Sequence, residues 1–119
     1  MEFSTGEIIT AATGKLCCPM DRVYAILNFL TGDNLFTHQL PRAFRACQAH
    51  VQEQCSWTKE LDESRCTSET WEAFLSDAEK KYGTKHNLFP LPSGLWTAKD
   101  PIQEAEEMIG PERVIVVHA

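Results

Sequence analysis

The sequence lacks the long apolar run of a membrane-spanning helix, and it lacks an excess of basic residues. No stretch approaches the ~20 consecutive apolar residues that are needed to cross a bilayer. The chain carries 17 acidic and 11 basic residues, which gives a formal net charge of −6. Because the apolar run is missing, we expect no membrane association. Because a negative field repels phosphate, direct nucleic-acid binding is disfavoured.

Motifs for cofactors and metals are also missing. The sequence contains no Gly-x-Gly-x-x-Gly pattern and no phosphate-binding loop, so nothing predicts a nucleotide cofactor. The cysteines match no zinc motif, with or without the four histidines, and their odd number argues against a complete disulfide framework. We therefore predict no cofactor, no metal and reduced thiols at five positions: Cys17, Cys18, Cys47, Cys55 and Cys66.

The length and composition that remain are those of an ordinary globular protein. The chain has 119 residues, of which 43% are hydrophobic and 24% charged, and this predicts a single domain over residues 1–119. The residues at the start, Met1-Glu2-Phe3-Ser4, resemble no export signal, so a cytoplasmic location is expected. The predicted fold is α+β and predominantly helical, with four to five short helices and a small sheet that includes the C-terminal strand.

Local signals predict two helices before residue 33. Ser4 and Glu7 have capping-box spacing, and Gly14 is placed to end the first helix. Pro19 suits the first turn of the second helix, and Gly32 suits its end. The apolar stripe of the second helix consists of Met20, Val23, Ile26, Leu27 and Leu30.

Two further helices are predicted in the middle of the chain. The first covers about residues 39–54, and its apolar stripe is Leu40, Phe44, Cys47 and Val51. The second begins with Ser68 as its cap and ends at Gly83. Its predicted core face is Trp71, Phe74, Leu75, Ala78 and Tyr82.

The last part of the chain predicts a strand, a helix and a strand. Leu95–Ala98 is expected to be a short strand, and Asp100-Pro101-Ile102-Gln103 starts a helix that runs to about Ile109. Val114–Val117 is the clearest predicted strand. Two strands make a marginal sheet, so a third is expected from residues 34–38, from residues 86–91, or from a second copy in a homodimer.

Catalytic groups are not evident, and we predict that the protein is not an enzyme. The carboxylate pairs Glu104/Glu107 and Asp62/Glu63 fall on predicted solvent faces rather than in an acid–base arrangement. A cysteine–histidine site assembled in space remains an alternative. Another alternative is a DNA-binding regulator that uses the helix around Arg42 and Arg45.

The most distinctive segment is the connection at residues 32–42, between two strong helices. It contains turn-forming residues, an aromatic ring, a histidine and an arginine, and such loops often carry function. One interpretation is a partner-binding loop that uses Asp33, Phe36, His38 and Arg42. The other is a simple helix connection, with Phe36 and Leu40 anchored in the core.

The first half of the chain resembles a family of small, poorly characterised proteins encoded by bacteriophages and prophages. The resemblance lies in Thr13–Leu16, Val23–Asp33 and Leu35–Arg42, and it covers about residues 5–50. It implies an accessory protein in the cytoplasm of a bacterial host. Small acidic phage proteins of this kind often inhibit a host defence complex stoichiometrically, as anti-CRISPR proteins do.

The resemblance and the charge together give the functional hypothesis. Residues 59–119 hold twelve of the acidic side chains and seven of the basic ones. We expect stoichiometric inhibition of a host protein or ribonucleoprotein with a basic surface. The acidic contacts would come from Glu60–Glu79, with Glu69, Glu72 and Glu79 foremost, or from Glu104–Glu112, unless the loop Asp33–Arg42 makes the contact instead.

Overall fold

The computed structural model describes residues 1–92, 94–97, 100 and 102–105, and within them the chain has a predominantly helical α+β fold. The helices are α1 (Thr5–Thr13), α2 (Met20–Thr31), α3 (Leu40–Gln54) and α4 (Trp71–Tyr82). Strands β1 (Glu2–Ser4) and β2 (Lys85–Asn87) form a small sheet. Short 3-10 helices occur at Thr37–Gln39, Ser56–Glu60 and Glu63–Arg65.

Helix α1 is the centre of the fold and contacts α2, α3 and α4. Its predicted capping box is confirmed: the Glu7 amide donates to Ser4 Oγ at 3.2 Å, and the Ser4 amide donates to Glu7 Oε1 at 2.9 Å. Gly14 ends the helix with a φ of 78°, a left-handed conformation in which glycine is favoured. At Gly6 the backbone carbonyl of Cys17 passes so close that a side chain would collide with it.

Helices α2 and α3 pack on α1 and enclose the main core. The predicted stripes are confirmed except at Met20, which is 44% exposed because it is the first residue of α2 and extends beyond the core. Pro19 is the N-cap of α2, one residue before the predicted first turn. The largest buried side chains of this core are Phe3, Ile8, Val23, Ile26, Leu27, Leu30, Val51 and Leu88.

The sheet joins the two ends of the described helical region. Strands β1 and β2 pair antiparallel, with Phe3 opposite His86. Residues 86–91 were one of the three expected sources of a strand, but the pairing with residues 2–4 was not predicted. Residues 34–38 are not a strand; they lead through a 3-10 helix into α3. The predicted strand Val114–Val117 lies outside the described residues.

Helix α4 begins two residues later than predicted, and Ser68 is not its cap. Thr67 Oγ1 accepts from the amides of Glu69 and Thr70, at 3.3 and 3.2 Å, and Thr70 Oγ1 accepts from the Thr67 amide at 3.0 Å. These bonds hold residues 68–70 in a turn, so the helix starts at Trp71. The predicted core face of α4 is confirmed.

Residues 94–97 are irregular, so the predicted strand Leu95–Ala98 is wrong over its described part. The Leu95 amide donates to the carbonyl of Pro92, and the Thr97 carbonyl accepts from Arg42, so neither backbone group can form a sheet ladder. The predicted helix start is confirmed, because Asp100 Oδ1 accepts from the amides of Ile102 and Gln103. Residues 102–105 are helical, and the rest of that predicted helix lies outside the described residues.

Candidate functional site

Helix α4 is held on the body of the protein by one apolar side. Its Trp71, Phe74, Leu75 and Tyr82 pack against a second core cluster of Ile9, Cys17, Cys66 and Ala78. The Tyr82 ring stacks on Trp57, with ring centroids 4.8 Å apart and an interplanar angle of 19°. This packing fixes the rotation of α4 and therefore determines which of its polar residues point to solvent.

Three glutamates lie on the solvent side of this region, and we call Glu69, Glu72 and Glu79 the acidic face. Glu72 and Glu79 are seven residues apart on α4, which places them on the same side of the helix two turns apart. Glu69 lies in the turn just before the helix. Glu69 and Glu72 are exposed, and Glu79 is half-buried.

Within the part of the chain that the structure describes, none of these three carboxylates forms an ion pair or a hydrogen bond. The positive residues of α4, Lys80 and Lys81, lie in its last turn. A carboxylate that is not held in an internal ion pair can take a cation from a partner without first breaking an internal contact. The chemistry that the acidic face offers is therefore ionic recognition of lysine and arginine.

The distinctive loop at residues 32–42 is largely committed to internal contacts. The Arg42 guanidinium lies over the Trp96 ring, 3.8 Å from its centroid, and donates to the Thr97 carbonyl at 2.8 Å. It also pairs with Glu104 Oε1 at 2.6 Å. Asp33 Oδ2 accepts from the Trp96 indole N–H at 3.1 Å. We call this set of contacts, from Asp33 to Glu104, the Arg42 clamp.

The Arg42 clamp holds Trp96, Thr97 and Glu104 against the start of α3. Its carboxylate is buried, since the Glu104 side chain is only 4% exposed, so the prediction that Glu104 lies on a solvent face is wrong. The local sequence could not reveal this burial, because Glu104 is buried against Arg42 of α3, which is 62 residues away in sequence. The sequence did not single out Trp96, although an isolated tryptophan in a proline-rich segment is a signal of anchoring. Glu104 was predicted only as part of the alternative acidic contact range Glu104–Glu112, not as a buried partner of Arg42.

The other two predicted loop residues lie at the surface. Phe36 is 55% exposed, so it is not anchored in the core; Leu35, Gln39 and Leu40 are the buried residues of this connection. The Phe36 ring meets the half-buried His38 edge-on, with ring centroids 6.1 Å apart. The structure therefore places Asp33 and Arg42 together in the clamp, Phe36 and His38 beside each other, and the acidic face on a separate helix.

The DNA-reading alternative needs both arginines of α3 to reach a base edge. Arg45 is exposed, but the guanidinium of Arg42 is stacked on Trp96 and paired with Glu104. Presenting Arg42 to DNA would mean breaking the clamp. This alternative stays a hypothesis, and the observed contacts add nothing in its favour.

The cysteines and histidines form no metal-binding group of three or more potential ligands among the residues that can be described. Cys47 is fully buried, as expected for a core thiol, and burial raises its pKa to about 12. His50, one turn away, contacts the carbonyl of Phe89 at 2.9 Å and Gln54 at 2.6 Å. Cys47 and His50 therefore have separate structural contacts. None of the helices in the described ranges combines the length and the apolar character needed to cross a membrane.

Comparison with known proteins gives one similarity. Residues 3–61, just under half of the chain, match the family model described as a domain of unknown function, DUF7736. Neither the curated proteins nor the solved structures yield a match. The matched range contains α1, α2, α3 and the loop with Arg42, whereas α4 and the acidic face lie beyond it.

Proposed function

We propose that this protein is a phage-encoded inhibitor that binds a basic surface of a host defence protein or ribonucleoprotein through the acidic face. The observation that carries the proposal is the acidic face itself: Glu72 and Glu79 lie on one side of a firmly packed helix, and Glu69 lies in the turn before it. None of the three forms an ion pair among the described residues. The phage origin and the defence target rest on the resemblance of residues 5–50.

The acidic face is a better candidate than the loop at residues 32–42. Asp33 and Arg42 already have intramolecular partners, so using them would require breaking the Arg42 clamp. Glu104 belongs to that clamp as well and is buried. Glu69 and Glu72 are exposed and need no rearrangement before they bind.

A row of carboxylates on a rigid helix can compete with nucleic acid for a basic groove. A surface that normally neutralises phosphates has closely spaced lysine and arginine side chains, and carboxylates complement the same charges. Charge complementarity of this kind mainly increases the association rate and the specificity. It is also weakened by salt, because mobile ions screen exposed charges.

The test begins with capture of a partner from a bacterial host lysate on the immobilised full chain, followed by affinity measurement with purified components. One variant reverses the acidic face: Glu69→Lys, Glu72→Lys and Glu79→Lys. A control variant makes the same change in net charge at three other exposed positions: Glu2→Lys, Glu53→Lys and Glu63→Lys.

We expect the acidic-face variant to bind about 10-fold or more weakly, with a smaller salt dependence, while the control stays close to wild type. Circular dichroism of both variants checks that they keep their helical content. Equal affinity of the two variants would remove the acidic face from the interaction. A captured partner without a basic surface would contradict the proposal as a whole.

A further inference from the structure

Two cysteines that are far apart in sequence meet beside α4. The sulfur atoms of Cys17 and Cys66 are 3.6 Å apart, and both residues are buried. Cys17 lies in the connection between α1 and α2, and Cys66 lies between a 3-10 helix and the turn before α4. Both are therefore in irregular segments rather than in a helix or a strand, and the two sulfur atoms would have to approach by about 1.5 Å to form a disulfide of about 2.05 Å.

A cavity of about 670 Å³ opens next to this cysteine pair. Its wall includes Cys66 and the half-buried Cys18, while Cys17 lies behind the wall. Lys15 supplies a positive charge, Ser68 supplies a hydroxyl group, and Trp71 supplies an apolar surface. The cavity is large enough for one half of a small peptide disulfide, and Lys15 can pair with a carboxylate of such a molecule.

We propose that Cys17 and Cys66 form a thiol–disulfide exchange site whose substrate is a low-molecular-weight disulfide of the glutathione class. The Cys66 sulfur, after losing its proton to solvent, attacks one sulfur of the small disulfide. A protein–glutathione mixed disulfide forms, and one reduced glutathione leaves. Cys17, after losing its own proton, then attacks the Cys66 sulfur. The Cys17–Cys66 disulfide forms, and a second reduced glutathione leaves.

The order of the two steps follows from access and charge. Cys66 lines the cavity and Cys17 does not, so the incoming disulfide reaches Cys66 first. The pKa of Cys17 is raised to about 12 by burial first, and then by the hydrogen bond with Cys66 and the charge of Cys66. Once Cys66 is in a mixed disulfide it carries no charge, so its share of the increase in the Cys17 pKa is removed, while burial continues to raise that pKa. The 3.6 Å between the two sulfur atoms is what favours Cys17 as the second nucleophile.

The oxidised protein would differ from the reduced one in how α4 is held. A bond between residues 49 positions apart in sequence closes a long loop and links the α1–α2 connection directly to the segment that precedes α4. Closing such a loop lowers the entropy of the unfolded chain and raises the melting temperature. Glu69 lies three residues after Cys66, so the disulfide would restrain the segment that leads into the turn carrying Glu69.

The experiment treats the reduced full-length chain with oxidised glutathione at neutral pH. Released glutathione is counted, and non-reducing peptide mapping identifies the bonded cysteines. We expect two glutathione molecules per chain, a Cys17–Cys66 disulfide, and a melting temperature higher by about 5–15 °C that dithiothreitol reverses. A Cys17→Ser variant should stop at a mixed disulfide on Cys66, and a Cys55→Ser variant, with its thiol away from the cavity, should react like wild type.

Three results would overturn the assignment. The first is a persistent mixed disulfide in the wild-type chain, which would mean that Cys17 cannot resolve it. The second is a disulfide between Cys18 and Cys66 in place of the proposed pair. The third is a native chain that fails to react under conditions in which the same chain reacts after unfolding in urea. Mapping on the wild-type chain gives these answers even if a serine variant does not fold.

Discussion

The guanidinium of Arg42 makes three different contacts, and each uses a different property of the side chain. Its flat face stacks on Trp96, one N–H donates to the carbonyl of Thr97, and another pairs with the buried carboxylate of Glu104. A lysine could replace the charge but not the planar, forked geometry. Arg42 is therefore the residue that most directly fixes Trp96, Thr97 and Glu104 to the helical body.

Removing the Arg42 side chain should destabilise the protein far more than removing its neighbour on the same helix. We expect Arg42→Ala to lower the free energy of unfolding by about 2 kcal/mol, because it leaves the Glu104 carboxylate buried without its cation and uncovers Trp96. Arg45→Ala, at an exposed position, should change it by less than about 0.5 kcal/mol. Urea unfolding of the two variants measures the difference, and equal values would show that the clamp contributes nothing.

The stability of the fold should fall in alkaline solution because of its buried thiols. Burial raises the pKa of Cys47 from 9.0 to about 12, so this thiol stays protonated in the folded chain at pH values where it ionises in the unfolded chain. The stabilising contribution is complete below pH 9 and is lost as the pH rises toward 12.

The Cys47→Ala variant tests this pH dependence. Between pH 8 and pH 10 its free energy of unfolding should fall by about 1 kcal/mol less than that of the wild-type chain. Cys17, whose pKa is also raised to about 12, keeps part of the slope in the variant. Urea unfolding at both pH values gives the comparison. Parallel losses in the two proteins would mean that Cys47 ionises equally in the folded and unfolded states.

Helices α1 and α4 start in different ways, although the sequence offers a serine as a possible N-terminal cap for each of them. Ser4 caps α1 through its side chain and forms a reciprocal pair with Glu7. Ser68 lies three residues before the first residue of α4, because Thr67 and Thr70 bond to each other and keep residues 68–70 in a turn. A serine at these two places therefore contributes differently to the free energy of unfolding.

The two serines provide a matched pair of substitutions. Ser4→Ala should lower the free energy of unfolding by about 1 kcal/mol, because the first turn of α1 loses its cap. Ser68→Ala removes the same hydroxyl group at an exposed position that does not cap a helix, and we expect a change of less than about 0.5 kcal/mol. Thermal or urea unfolding compares them. A loss at Ser68 as large as that at Ser4 would contradict the observed start of α4.

The parts of the fold that could be predicted are those set by neighbours in sequence. The start of α1, the stripe of α3 and the N-terminal cap at Asp100 each depend on residues within a few positions of one another. The pairing of Phe3 with His86 joins strands of only three residues, so neither strand has a pattern to detect.

The candidate site was predictable only in part, for the same reason. The acidic face follows from the apolar side of α4, which the 3.6-residue period reveals. That Arg42 and Asp33 are occupied by internal contacts could not be predicted in this way. Both contact Trp96, which is more than 50 residues away from Arg42 in sequence. The contact between Cys17 and Cys66 likewise links two segments with no local signal in common.

In the described chain, the helical body and the proposed partner-binding surface come from different halves of the sequence. The residues that match the family model build the helical body of α1, α2 and α3 and half of the Arg42 clamp. The acidic face and the cavity wall formed by Cys66 and Trp71 come from the residues that follow the matched range. In the proposed function, the residues after the matched range determine which protein is bound, because they carry the acidic face.

Inhibition of host defence by the acidic face is tested most directly by the plating efficiency of a phage. The bacteria used carry an active nuclease-based defence and express this chain. We expect the wild-type chain to restore plaques, the variant with Glu69, Glu72 and Glu79 changed to lysine to lose this effect, and the variant with Glu2, Glu53 and Glu63 changed to lysine to keep it. Protection that survives reversal of the acidic face, at equal expression of the variants, would contradict the account.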